Sequence, residues 1–421
     1  MIRSELIEKI EGEATLDYHF KNKAIEHVDI KFLSSRHIEN ILKGKSPLDA
    51  LVINPRVCGI CGHAHLIATV EALEGCYENL EISQKAKKLR ELTLNFELIQ
   101  NHFKWFYLVL LPLFGQKQNI YKATHPSKLM GQAIATIAGQ YPHNSYAIPG
   151  GITNEVLQQD IIKIEQYIDE TIAFYQNHLV DADMENFIDC ESVSKVLSKN
   201  GDLIDILKTI KQNKWTKLGR SYDRFIVFGQ NSYFKAGRGV ATRVNHNLNT
   251  KYITETNNTD SLAKNVKFKK YYYEVGPLAR AMINKTALVK DSHRKYRDSI
   301  FSRILARTCE IPQLLIHSKK ILNSIDIHEP SFIEPSVPIS EISGKATSCV
   351  EAARGSLIHK IHIENNTIIE YNIITPTQWN LSNGTKKDSG VAQKAMVGLK
   401  DIEVAQKVFK SFDVCSVCTT H

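Results

Sequence analysis

Cys58 and Cys61 form one C-x-x-C pair, and Cys415 and Cys418 form a second at the other end of the 421-residue sequence. Two such pairs can supply four thiolates to one soft or borderline metal, but the spacing within a pair does not choose among zinc, iron-sulfur and nickel. The spacing between the pairs says more. A zinc ribbon keeps its pairs roughly 15 to 20 residues apart, so a site built from these two has to unite the whole fold. On the cysteines alone, a structural zinc or a redox dithiol accounts for them about as well as a catalytic metal does. Cys76, Cys190, Cys309 and Cys349 are isolated from one another in sequence and read as ordinary buried thiols. Eight cysteines in a chain of this length are too dilute for a disulfide scaffold.

The elements that must bring the pairs together are visible as periodicity. Leu89, Leu92, Phe96, Ile99, Phe103, Phe106 and Leu110 recur at spacings of three and four, which predicts one long core helix ending at Pro112. A second stripe runs from Leu157 to Tyr175, and a third covers Ser299 to Ile325 with an interruption at Pro312. From Ser356 to Ile374 the pattern changes to β-branched runs around Asn365-Asn366, the composition of a hairpin. Asn245 to Asn265 and Asn383 to Ser389 are polar and read as surface excursions. The expected class is α+β, predominantly α, with a large helical core and small peripheral hairpins or sheets. No repeat and no long linker divides the chain, so residues 1–421 are expected to form a single domain.

Composition limits the function classes. Hydrophobic residues at 43% and charged residues at 23% exclude a disordered, collagen-like or wholly membrane-embedded chain. The net charge of +8 fits a solvated basic surface and carries no nucleic-acid signature. Met1 to Ile10 has no apolar stretch suited to a signal peptide. Trp105 to Phe114, the longest apolar run, is about half of the ~20 residues a spanning helix needs. A cytoplasmic protein with no membrane span of its own is expected.

The residues around the cysteines narrow the chemistry. Arg56-Val57-Cys58-Gly59-Ile60-Cys61-Gly62-His63-Ala64-His65 and Asp413-Val414-Cys415-Ser416-Val417-Cys418-Thr419-Thr420-His421 resemble the paired signatures of the large, catalytic subunit of nickel-iron hydrogenases, R-x-C-G-x-C-x-x-x-H and D-P-C-x-x-C-x-x-H. Further blocks follow the family's order. Glu11-Gly12 resembles its E-G-H, Arg36-His37-Ile38-Glu39 its R-G-F-E, and Tyr141-Pro142-His143 with Gly150-Gly151 its P-H and G-G segment. Glu274-Val275-Gly276-Pro277-Leu278-Ala279-Arg280, Glu351-Ala352-Ala353-Arg354-Gly355 and Pro376-Thr377-Gln378-Trp379-Asn380 resemble E-V-G-P-L-A-R, E-A-P-R-G and P-[ST]-T-W-N. The resemblance runs from residue 11 to 421 and implies the large-subunit fold around a metal site.

Heterolytic cleavage of H2 needs a soft metal for the electron pair, a base for the proton and exclusion of water. By resemblance, Cys58 and Cys415 are terminal nickel ligands, while Cys61 and Cys418 bridge nickel to an iron carrying one carbon monoxide and two cyanides. The cyanides need donors in a buried place, and the family's positions for these match Arg354 and Thr377. Arg354 is also placed to hang a permanently charged guanidinium over the open metal position. His65, four residues after Cys61 on an expected helix, is a donor beside a thiolate, with Asp413 among the neighbouring groups. His63 has no role to transfer and reads as structural. Glu39, His421 and the backbone carbonyl of Ile373 match the ligands of a magnesium ion, or sometimes iron. Carboxylate oxygen suits magnesium, whereas histidine nitrogen suits it less, so the identity of that ion stays open.

Four positions depart from the family pattern. Val414 and Ala353 replace prolines of the D-P-C and E-A-P-R-G motifs, Trp105 replaces the second His of H-x-x-H-F-Y, whose first is His102, and Leu113 stands where many relatives carry an acidic residue. A divergent subgroup is implied, with every metal-binding side chain intact. Electrons have to leave through a partner, so an obligate heterodimer with an iron-sulfur small subunit is expected, with association to a membrane or co-export through that subunit open. Maturation proteins for nickel insertion are also implied. Most members carry a C-terminal extension that a protease removes just after the final His, so an end at His421 implies either the mature form or a gene that stops there. An H2 sensor with slow turnover is the alternative function. A structural subunit of a respiratory complex fits less well, since such relatives lose the nickel cysteines.

The resemblance also places Glu11 as the proton acceptor from Cys415. Glu11→Gln keeps the shape of the side chain and cannot carry a proton, so the variant should assemble with its infrared bands intact and lose most hydrogen-deuterium exchange, while Glu11→Asp keeps part of it. Exchange at the wild-type rate in Glu11→Gln would send the proton by another path, with Glu13 or Arg354 the next candidate.

Overall fold

Alternation of apolar and polar residues folds the start of the chain into a three-stranded antiparallel sheet, β1 (Ile2–Ile7), β2 (Ala14–Lys21) and β3 (Ala24–Phe32). Leu16 and Tyr18 on β2 and Val28 and Ile30 on β3 point into the core. The β2–β3 turn rests on Asn22 and Lys23, both at positive φ. The structure, a computed structural model, describes residues 1–7, 14–240, 243–258 and 260–415. Glu11, Cys418 and His421 lie outside the described residues.

Helices form the bulk of the core. α1 (Gly62–Glu74) begins directly after Cys61 and is buried on nearly every side. α2 (Gln84–Lys104) carries the predicted stripe and starts at Ser83, whose hydroxyl accepts from Ala86 N at 3.0 Å. It packs against α1, against α3 (Ile120–Ala138) and against α6 (Ile300–Leu322), while α3 packs on α4 (Gln158–Phe174). α5 (Pro277–Ile283) lies on α6, and α7 (Ile402–Lys410) leads the chain back toward the first cysteine pair.

A second antiparallel sheet, β4 (Gly344–Ala352), β5 (Gly355–Glu364) and β6 (Thr367–Ile374), covers α1. Its β5–β6 hairpin is the predicted one and turns on Asn365 and Asn366 at φ 48° and 60°, the left-handed pair that a tight hairpin turn requires. One hydrophobic cluster runs from Ala14 to Cys415, and a smaller one gathers Phe228, Phe268, Ile358 and Trp379. The architecture is α+β with helix predominating, as expected. Among the described residues, no helix is long and apolar enough to cross a membrane.

Of the two helical prolines, Pro112 marks the end of its helix to within one residue and Pro312 does less than the sequence predicts. The helix expected to stop at Pro112 runs through a π-helical segment, Trp105–Leu110, and ends after a last turn, Leu111–Leu113. Widening the spiral just before a proline relieves the clash of its ring with the preceding turn. Pro312 does not interrupt α6 at all. Its flanks Ile311, Leu314 and Leu315 are fully buried, and that packing outweighs the ~3 kcal/mol a mid-helix proline costs. The excursion from Asn245 to Asn265 also contains a short strand, Ile253–Thr256, paired with Asn265–Phe268. The first sheet, despite its alternation, and strand β4 were not among the expected elements.

A buried ion pair locks α6 to the segment before α5. Arg303 donates from Nε and Nη2 to the two carboxylate oxygens of Glu274, each at 2.8 Å, and its guanidinium lies 3.9 Å from the Phe412 ring centre. Glu274→Met removes the counter-charge and leaves Arg303 buried and unpaired, which should cost about 3–5 kcal/mol in a chemical denaturation series. A loss within about 1 kcal/mol would show that Arg303 finds a second partner.

Candidate metal centre

The two ends of the sequence meet at sulfur. Cys58 follows a short 3-10 turn, Asn54–Arg56, and Cys61 occupies the residue before α1. Cys415 follows the last turn of α7. Cys58 and Cys415 are 0% and 1% exposed, and their sulfurs lie 3.8 Å apart. That separation is too long for a disulfide, and two thiolates on one tetrahedral ion with metal–sulfur bonds of ~2.3 Å would stand about 3.8 Å apart. Cys61 is buried beside them, close enough for its charge to act on Arg354 together with those of Cys58 and Cys415.

The N-terminus of α1 is fixed by a residue the sequence reading missed. Glu97, fully buried on α2, accepts from His63 N and Ala64 N at 2.9 Å each and so caps the helix directly after Cys61. Burial pushes its carboxyl up to about 8, against the pull of those two amides. A lone Glu on a helical stripe carries no signal for this, because its partners lie 33 and 34 residues away. His63 is structural, as expected. Its Nε2 pairs with Thr93 Oγ1 at 2.9 Å and its ring stacks on Tyr146.

His65 is buried on α1, with the charge of Cys58 acting on it. Burial lowers its pKa to about 4, so the ring is neutral at physiological pH. Its Nδ1 meets His359 Nε2 at 3.1 Å, and His359 Nδ1 meets the Tyr371 hydroxyl at 2.8 Å. Asn54 Nδ2 donates to that hydroxyl at 2.9 Å and to Thr69 Oγ1 at 2.8 Å. This closed polar chain, contributed by α1, β5 and β6, fixes the His65 ring. His359 escaped the sequence reading because alternation places it on a strand face without saying what that face meets.

Arg354 lies in the turn between β4 and β5. Its Nε donates to Asp413 O at 3.1 Å and stands 3.4 Å from Asp413 Oδ2. Burial opposes its charge, but Asp413 and the thiolates of Cys415, Cys61 and Cys58 outweigh that and raise its pKa well above the ordinary value. Its Nη1 is buried with no hydrogen-bond partner among the described residues, and so is Thr377 Oγ1. An orphaned buried donor costs ~1–3 kcal/mol. Other buried polar atoms also lack a partner among the described residues, Gln378 Nε2 and Trp379 Nε1 beside Thr377 included, but Arg354 Nη1 and Thr377 Oγ1 belong to the side chains expected to face cyanide. The turn itself depends on two glycines packed back to back. A Cβ on Gly276, at φ 107°, would come within 2.7 Å of Arg354 O, and one on Gly355, at φ 133°, within 2.6 Å of Gly276 N. Asn380 ties the Thr377 helix to the same place, exchanging hydrogen bonds with Val275 N at 3.0 Å and Val275 O at 3.1 Å.

The second expected ion site is partly assembled. Glu39 Oε1 accepts from Ile373 N at 2.8 Å, so the carboxylate and the backbone expected to share an ion are neighbours. Lys264 Nζ also reaches Glu39, at 2.9 and 3.2 Å, and lies 3.5 Å from Glu255. This lysine comes from the polar excursion, where nothing in the sequence points to it. Among the described residues, no group of three or more His, Cys, Asp and Glu side chains is arranged as a complete metal site.

Comparison with known proteins agrees with this geometry. A sequence model of the family described as nickel-dependent hydrogenase matches residues 36–111 and 227–421. The chain is 24% identical to the alpha chain of sulfhydrogenase 2 from Pyrococcus furiosus, covering 98% of this chain and 97% of that one. It is also 24% identical to the alpha chain of sulfhydrogenase 1 from the same organism, over 99% and 96% of the two chains. Among solved structures, the Ni-Fe-Se hydrogenase of D. vulgaris Hildenborough superposes with a TM-score of 0.83 at 20% identity, each chain covered in full. With a family match over well more than half its length and the thiols gathered beside a buried arginine, the chain belongs to the nickel-dependent hydrogenase family and is the catalytic large subunit of a nickel-containing hydrogenase, an oxidoreductase acting on H2.

Proposed function

We propose that Cys58, Cys61, Cys415 and Cys418 hold nickel, with Cys61 and Cys418 shared by an iron that carries one carbon monoxide and two cyanides. The observation that carries this reading is the pair of orphaned buried donors, Arg354 Nη1 and Thr377 Oγ1, in a fold that also brings Cys58 and Cys415 within 3.8 Å. Two donors without acceptors fit a buried anion that accepts from both, and a zinc bound by four cysteines supplies none. When bound, the nickel-iron pair supplies a soft, electron-rich centre at which H2 is polarised.

The chain's own side chains do the rest. Arg354, pinned through Nε by Asp413, holds a permanent positive charge over the thiols without acting as an easy proton source. Glu11 is the proton acceptor in this reading. His65, neutral and held by His359, donates toward the Cys58 thiolate without adding a charge to the site. Glu39, the Ile373 carbonyl and His421 hold a magnesium or iron ion, and Lys264 then shares the Glu39 carboxylate with it. Residues 1–421 act as one unit, since both thiol pairs are needed for one centre.

The partner is an iron-sulfur small subunit, in a heterodimer. The two sulfhydrogenase relatives are alpha chains, which supports this, as do the scattered positions of the remaining cysteines. Cys190 and Cys309 are buried as expected, Cys190 with Sγ against Ser192 O, whereas Cys76 and Cys349 are half-buried, Cys76 with Sγ against Ala72 O. Nickel-insertion proteins and a cytoplasmic site of assembly belong to the same reading.

Arg354→Lys tests it. Lysine keeps the charge and loses the planar fork, so it cannot both donate to an anion and stay on Asp413. The variant in the purified complex should retain nickel and lose H2 turnover by on the order of 10²–10³-fold, with the cyanide infrared bands displaced. Wild-type turnover in a fully metallated variant would reduce Arg354 to a structural role. A stoichiometric zinc with no iron would overturn the centre itself.

A further inference from the structure

The backbone just before Arg354 is gripped by two buried guanidiniums. Arg280 donates from Nη1 to Ala352 O at 2.9 Å and from Nη2 to Ala353 O at 3.3 Å. Arg307 donates from Nη1 to Ala353 O at 3.3 Å and to Asp413 Oδ2 at 3.0 Å. Arg307 therefore bridges the Ala353 carbonyl and the Asp413 carboxylate; Ala353 itself, and Val414 next to Asp413, stand in for the prolines of the resembling motifs.

Arg307 is itself aimed from several directions. His102 Nδ1 lies 3.1 Å from its Nη1, and the Trp105 ring centre lies 4.9 Å from its guanidinium carbon. The indole N–H of Trp105 donates to Lys410 O at 3.0 Å, which ties the same ring to the end of α7. His102 Nε2 stands 2.7 Å from Glu310 Oε2, and Glu310 in turn takes two hydrogen bonds from Arg280 at 2.7 Å each. Burial lowers the pKa of His102 to about 4, so the ring is neutral. It then donates from Nε2 to Glu310 and accepts at Nδ1 from Arg307, whose two Nη1 protons are shared among His102, Asp413 and Ala353. One cycle of side chains on α2, α5 and α6 thus closes on the two strands of chain that carry Arg354 and Cys415.

We propose that Arg307 is a positioning residue for Arg354: aimed by His102 and Trp105, it holds the Ala353 carbonyl and the Asp413 carboxylate, and so imposes from outside the restraint at residue 353 that proline imposes from within. A proline fixes φ near −65°, whereas alanine leaves the turn before Arg354 free to drift unless its carbonyl is held. Drift there moves the guanidinium, because Arg354 Nε is anchored to both the carbonyl and the carboxylate of Asp413. The Trp105 departure belongs to the same arrangement, since a flat indole covers the Arg307 face that a smaller ring would leave open. The inference rests on the reading of Arg354 given above.

Three variants of the purified complex test it: Arg307→Lys, the double variant Arg307→Lys/Ala353→Pro, and Trp105→Leu. Arg307→Lys should keep its nickel, turn over H2 on the order of 10²-fold more slowly per nickel, and show displaced or broadened cyanide bands. Adding Ala353→Pro should recover most of the turnover and return the bands toward wild type, because Ala352, at the end of a strand, already has the extended backbone that precedes a proline. A merely structural Arg307 would lower yield and leave the bands and the turnover per nickel unmoved, and that result overturns the proposal. A double variant no better than the single one overturns it as well. Should Arg307→Lys fail to accumulate, Trp105→Leu keeps the ion pair and removes its lateral stop. Displaced bands then support the proposal, and unmoved bands with wild-type turnover sink it. If wild-type protein itself lacks nickel and cyanide bands, the metal reading falls first and this one with it.

Discussion

A guanidinium held among thiolates, out of water, sets the terms for the rest of this protein. Arg354 is 6% exposed and has the charges of Cys58, Cys61 and Cys415 around it. In so dry a place a misplaced charge is penalised heavily and a well-placed one acts strongly, so the arginine must be fixed to fractions of an ångström before it is useful. Asp413 supplies the first restraint. It sits at φ 60°, directly after α7, where its backbone N–H still bonds to Lys410 O at 3.1 Å. Few residues other than glycine adopt that conformation readily, and aspartate is one of them. The helix end, the ion pair and the approach of Cys415 are thus one local structure.

Behind Asp413 the charges continue inward as an alternating series of Arg307, Glu310, Arg280 and Glu351, with His102 as a neutral link. Burial would raise Glu310, but Arg280 and His102 hold its pKa down to about 2, so it remains an anion. Arrays of this kind add little net stability, because desolvation consumes most of the Coulombic gain. Their value is directional. Each carboxylate takes two or more hydrogen bonds at 2.9 Å or less, and Arg280 donates from Nε, Nη1 and Nη2 alike. Arg280 is shared by Glu310 and Glu351, and Asp413 by Arg307 and Arg354, so each link also orients the next.

On the other side of the thiols the restraint is neutral. Glu97 caps α1, His63 packs under Tyr146, and His65 heads a chain of imidazole, imidazole and phenol that ends on Asn54 and Thr69. A metal bound by thiolates already carries negative charge, and neutral rings can hold a donor against it without altering that balance. Gly276 and Gly355 pack against one another beside Arg354, and a side chain on either would collide with the turn that carries the arginine.

The sequence by itself determined the chemistry and much of the local form. The two thiol pairs, Arg354, Thr377, Glu39 and the order of blocks around them were legible, as were the stripes of α2 and α4 and the Asn365-Asn366 turn. The stripes and the turn are written in spacings of a few residues, whereas the site residues were legible only through the resemblance of the blocks that hold them. The tertiary structure decided what spacing cannot carry. Pro312 fails to end its helix because its buried neighbours outweigh a local preference. Glu97, His359, Lys264 and Arg307 acquired their places from partners 33 to 294 residues distant or from backbone carbonyls, and no local pattern marks such a partner. Periodicity tells which face of an element is buried; only the packed core determines which charge, ring or carbonyl that face will meet, because that choice is made by the cost of leaving any one of them unpaired.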